Sequence, residues 1–126
     1  MASGWSRNMG GVALLTGRRI LVVEDEAIES LMIEDLLTSA GAVVIGPAGT
    51  TAEALTLLEQ EKDVHCAILD VQLTDGMSLP VAEALASRGI PFVVATAFDK
   101  VAPAYDGAPM FLPHELIEAV ADVLRP

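Results

Sequence analysis

The stretch ILVVEDEA, residues 20–27, decides the fold. Four aliphatic residues run straight into Glu24, Asp25 and Glu26. An uninterrupted apolar run of this kind suits a strand covered on both faces. The three acids then sit at the carboxyl edge of that strand.

Working outward, similar short runs return at residues 42–45, 64–69, 92–95 and, with a weaker pattern, 110–112. Helical patterns lie between them. The first covers about residues 27–40, with Ile33, Leu36, Leu37 and Ala40 at helical spacing and Gly41 as the stop signal. The second follows Thr50 or Thr51, with Ala54, Leu55 and Leu58 on one face. The third opens near Ser78 and ends at Gly89, and the last carries Ile117, Val120, Ala121 and Leu124 in register. Residues 98–109 contain Pro103, Gly107 and Pro109 and no good period, so a fourth helix there is expected to be short or irregular.

Strands alternating with helices give an α/β fold, a parallel sheet covered on both faces. Right-handed crossovers leave few topologies. The expected one is the flavodoxin-like doubly wound fold, a five-stranded parallel sheet in the order 2-1-3-4-5. Residues 1–17 read as an N-terminal tail and residues 18–126 as a single domain.

Composition excludes several functions. The chain has 126 residues and a formal net charge of −11, with seven Lys and Arg against 18 acids. A nucleic-acid surface needs a basic face, and the same charge disfavours anionic membranes. No apolar run approaches the ~18 residues of a membrane span, and residues 10–15 are too short for a secretory signal. A soluble cytoplasmic protein is expected. The single cysteine, Cys66, lies in an apolar segment and reads as a core residue. His65 and His114 lack ligand spacing and read as structural or exposed.

In a doubly wound sheet the site forms at the carboxyl ends of the strands, where the strand order reverses. Glu24 and Asp25 follow the first strand. Asp70 ends AILD in the third strand, and Thr96 ends VVAT in the fourth. These strands are neighbours in the expected order, so the four residues converge. Two unit charges about 4 Å apart repel by roughly 1 to 4 kcal/mol, depending on the dielectric. A divalent cation removes that penalty, and magnesium suits a few carboxylates with waters and a phosphate. Asp70 then becomes a plausible nucleophile toward phosphorus, with Thr96 donating to a phosphoryl oxygen. Each residue taken alone has a plainer reading: acids at a helix N-terminus, a loop cap, an ordinary strand threonine.

The segments ILVVEDE, CAILDVQL and FVVATAF resemble the receiver domain of bacterial two-component response regulators, over about residues 18–125. The resemblance implies that Asp70 is the phosphoacceptor and that Glu24 and Asp25 are the acid pair around Mg2+. It implies that the Gln72 backbone carbonyl completes the metal site and that Thr96 is the switch hydroxyl. It further implies a phosphorelay role, with a histidine kinase or phosphotransfer protein upstream and an unknown downstream protein. Catalysis would then be limited to the domain's own phosphorylation, and the oligomeric state is left open. DVQLTDGMSLPVAEAL and RGIPFVVAT are similar to a subgroup of stand-alone receivers. Thr74 stands where many receivers have proline, and Ala97 where the subgroup has glycine.

One departure concerns the lysine that receivers carry before a proline at the end of the fifth strand. The only lysines are Lys62 and Lys100. Leu112-Pro113 occupies the expected place, or residues including the lysine are lost. Lys100 substitutes for it or is simply solvated on its loop, with the second reading favoured. A degenerate receiver that binds proteins without phosphorylation is therefore the alternative. An aspartate-dependent phosphatase needs a second acid two residues after the nucleophile, and Gln72 cannot serve. A flavin phosphate would be repelled by the acids after the first strand. Ser78 is expected to cap the third helix, Tyr105 to pack at the surface, and Met77 and Leu79 to contribute to a partner surface.

Overall fold

The computed structural model describes residues 14–95, 110–111 and 115–125. Strands are β1 (Arg19–Val23), β2 (Val43–Ala48), β3 (Cys66–Asp70), β4 (Gln72–Leu73), β5 (Gly76–Met77), β6 (Phe92–Ala95) and β7 (Met110–Phe111). Helices are α1 (Ala27–Ser39), α2 (Thr51–Gln60), α3 (Leu79–Ser87) and α4 (Leu116–Leu124).

The main sheet has five strands in the order β2-β1-β3-β6-β7, and every pairing in it is parallel. This is the expected 2-1-3-4-5 order. β1 lies at the centre of the reversal, between β2 and β3. Its register with β3 pairs Ile20 with Cys66 and Val23 with Leu69. β6 continues the register, with Asp70 opposite Ala95.

Alternation along each strand builds two cores, because successive side chains leave a strand on opposite faces. Leu21, Val23, Ala67, Leu69 and Val94 join the cluster that contains Ala54 and Leu58 of α2 and Val81 and Leu85 of α3. Ile20, Val22, Cys66, Ile68 and Val93 join the other, with Ile33 and Leu37 of α1 and Leu116 and Val120 of α4. The sheet is thus covered on both faces by helices whose apolar stripes the sequence had marked. Leu15, in the stretch read as tail, is also fully buried in the second cluster. Burial pushes the Cys66 thiol up to about 12, so it stays protonated as an apolar core group.

Local chemistry fixes the helix starts. At α2 the Thr50 side chain accepts from the Glu53 backbone N–H at 3.0 Å, and Glu53 Oε1 accepts from the Gly49 N–H at 3.1 Å. These bonds mark Thr50 rather than Thr51 as the cap, with the Glu53 carboxylate reaching back past it to the Gly49 N–H. Ser78 occupies the cap position of α3 but makes no side-chain cap bond. Its hydroxyl donates instead to the backbone carbonyl of Asp70 at 2.6 Å. The expectation for Ser78 is corrected accordingly: the hydroxyl closes the loop after β3.

His65 is structural, its Nδ1 accepting from the Arg19 N–H at 2.9 Å. Arg88 at the end of α3 donates to the Leu58 carbonyl and links α3 to α2. The expectations for Thr96, Lys100, Tyr105, Leu112-Pro113, His114 and an irregular helix at residues 98–109 lie outside the described residues. No helix among the described residues is long and apolar enough to cross a membrane.

Candidate metal centre

The site forms where the central strands end. β1 stops at Val23, and Glu24 N–H donates to the Ala48 carbonyl of β2 at 2.9 Å, which holds the first acid in line with the sheet. The next two residues carry the chain into α1. β3 ends at Asp70 itself. Since Val23 pairs with Leu69, Glu24 and Asp70 occupy the next rung of the same ladder.

Glu24, Asp25 and Asp70 come together there. One carboxylate oxygen from each lies within 4.8 Å of the others. Their surroundings differ. Glu24 is only 4% exposed, Asp70 is half-buried and Asp25 is exposed. Burial therefore acts chiefly on the first two. It pushes the Glu24 carboxyl up to about 7, helped by the neighbouring Asp70 charge and opposed by the Glu26 N–H, which donates to Glu24 Oε2 at 3.1 Å. Asp70 is raised as well, again mainly by burial, with Asp25 adding repulsion. The Val71 and Gln72 backbone N–H groups and the adjacent Glu24 carboxyl partly counter that rise.

The donor set fits a hard divalent cation. It consists of carboxylate oxygens, one of them from a buried residue, whose mutual repulsion a cation would relieve. Glu24, Asp25 and Asp70 are the residues that would hold the ion. Gln72 lies next to this cluster, at the start of the β4–β5 hairpin, with its backbone beside Asp70. Thr96, the remaining expected member, lies outside the described residues.

The sequence reading did not foresee two features. The first is the hairpin itself, with Gln72 paired to Met77 and Leu73 to Gly76. Its signal was present in Gly76, a glycine in the last position of the turn Leu73–Gly76. The second is that this hairpin touches the site. Thr74 Oγ1 donates to Asp25 Oδ2 at 3.0 Å. Asp75 accepts from the Thr51 and Ala52 N–H groups at the start of α2, at 2.9 and 3.4 Å, and these bonds hold its carboxyl below the usual range.

No protein-family model matches the chain. Among curated proteins it is 36% identical over 84 residues to the transcriptional regulatory protein PdtaR of Mycobacterium tuberculosis, covering 66% of this chain and 40% of that protein. The chain thus spans less than half the length of the curated relatives it matches. Among solved structures it is similar to SdrG from Sphingomonas melonis Fr1, at 39% identity and a TM-score of 0.74, covering 89% of this chain and 98% of that one. It is also similar to the response regulator PhyR from Brucella abortus, at 29% identity and a TM-score of 0.77, covering 94% of this chain and 52% of that one. With the doubly wound sheet of a CheY-like receiver and these relatives, the chain belongs to the response-regulator receiver family.

Proposed function

We propose that the domain takes a phosphoryl group onto Asp70 from a phosphohistidine of a histidine kinase or phosphotransfer protein, in two-component signalling. The observation that carries this reading is the cluster of Glu24, Asp25 and Asp70 at the edge where the strand order reverses. A bound Mg2+ would neutralise charge on the rim and on the phosphoryl oxygens. Asp70 is the nucleophile. One of its oxygens forms the new O–P bond, the P–N bond of the phosphohistidine breaks, and the electron pair leaves with the imidazole. Glu24 and Asp25 would hold the cation, and the Gln72 carbonyl would complete its protein ligands. The Thr96 hydroxyl donates to a phosphoryl oxygen once the group is in place. Catalysis extends only to the domain's own modification.

The surface beside the cleft supports docking of a protein donor. Ile28, Leu31 and Met32 of α1 are 84%, 65% and 40% exposed. They recur at helical spacing directly after the acidic rim, so they share one face. Exposed apolar side chains grouped in this way mark protein contacts. Phosphorylation then biases the domain between two conformations read by a downstream protein.

A second reading has a specific support. The chain lacks a lysine at the Leu112-Pro113 position, which favours a degenerate receiver that binds partners without phosphorylation. Incubation with acetyl phosphate and Mg2+, read by intact mass, separates the two. The phosphoacceptor reading expects one added phosphoryl group on the wild type and none on Asp70→Asn. An unmodified wild type shifts the case to the binding module, and modification that survives Asp70→Asn refutes the residue assignment.

A further inference from the structure

We propose that Thr74 is a positioning residue of the metal rim, holding Asp25 in place for the cation. The inference rests on the metal-dependent reading of the site. Of the three clustered acids, Asp25 is the one that packing does not fix. Glu24 is buried and Asp70 is half-buried on a central strand, whereas Asp25 is exposed on the segment between β1 and α1. An exposed aspartate is free to exchange rotamers, and ordering it on binding an ion carries an entropic penalty. The Thr74 hydroxyl meets that need. It donates to Asp25 Oδ2 at 3.0 Å and leaves the other carboxylate oxygen to a ligand.

Thr74 is itself held on both sides. Leu73, immediately before it, is buried in the core. Asp75, immediately after it, accepts from two N–H groups at the start of α2. Thr51 Oγ1 donates in turn to the Met77 carbonyl at 3.3 Å, on the far side of the turn. The antiparallel pairing of β4 with β5 makes Thr74 and Asp75 the two residues of that turn. The hydroxyl is therefore presented from a fixed frame rather than from a loose loop. A proline at this position has no hydroxyl to offer, so the bond depends on the residue this chain carries. Hydrogen bonds that orient metal ligands commonly govern affinity by about 10–100-fold.

The test is calorimetric titration of Mg2+ into the metal-free wild type, Thr74→Val and Thr74→Ser. Valine keeps the shape and removes the donor; serine keeps the donor. The expected result is about tenfold weaker Mg2+ binding by Thr74→Val, affinity within about twofold of wild type for Thr74→Ser, and unchanged metal-free melting temperatures. Equal affinity of wild type and Thr74→Val overturns the inference alone. Loss by the serine variant as large as that of valine also overturns it. A wild type that binds no Mg2+ overturns the metal reading and this inference together.

Discussion

A carboxylate oxygen of Glu24 and one of Asp70 lie within 4.8 Å of each other at the adjacent ends of β1 and β3, and burial raises both groups above their ordinary values. Two anions at this separation, one buried and one half-buried, are unfavourable, and a proton or a cation would relieve them. The site therefore couples proton binding to the fold.

That coupling gives stability a sign with pH. Folding raises Glu24 from 4.5 to about 7. Between those values the folded chain keeps a proton that the unfolded chain has lost. The contribution is full below about pH 4.5 and is lost as pH rises through about 7. Its size is on the order of 3 kcal/mol. Urea unfolding in chelator, from pH 4.5 to 8, should show stability falling over this window, and Glu24→Gln should flatten the fall. Adding Mg2+ near pH 7.5 should restore stability to the wild type. An equally steep fall in Glu24→Gln would assign it to other groups.

The exposed face of α1 should matter to a protein donor and not to a small one. Ile28→Gln combined with Leu31→Gln keeps helix-forming residues and removes two exposed apolar side chains. Transfer from the cognate phosphohistidine protein should slow by about tenfold or more, the scale of two interface anchors. Labelling by acetyl phosphate should be unchanged. Equal rates from the protein donor would exclude this face from docking.

Gly46 in β2 is a demanding backbone position. Its φ is +99°, and a Cβ there would lie 2.9 Å from the Ala48 nitrogen and 3.0 Å from the Val22 carbonyl oxygen. Neither backbone atom yields easily. Gly46→Ala should destabilise by roughly 2–4 kcal/mol in chemical denaturation. Gly89→Ala, with φ +69° but open space around it, should lose only about 1 kcal/mol. Similar losses at both positions would show that the close contacts at Gly46 relax.

The sheet order was legible because buried parallel strands announce themselves as unbroken apolar runs, and residues 92–95 matched β6 to the residue. β2 was read too short. It continues through Gly46 and Pro47 to Ala48, residues that usually break a strand. Proline is tolerated there because β2 lies at the edge of the sheet. Glu24, Asp25 and Asp70 were legible because topology alone brings strand ends together. The hairpin bonds of Thr74 and Asp75 were not, since they join residues 49 and 24 apart in sequence. The exposed stripe on α1 was hidden for another reason. α1 carries apolar residues on both its buried and its open faces, so its pattern alone did not separate the two.

The central claim is that the ends of β1 and β3 hold a divalent ion beside Asp70. Crystals soaked in Mn2+, which accepts the oxygen ligands of Mg2+, test it through anomalous scattering. The account predicts one anomalous peak within bonding distance of the Asp25 and Asp70 carboxylates. Full occupancy elsewhere, or an empty rim at saturating Mn2+, would contradict it.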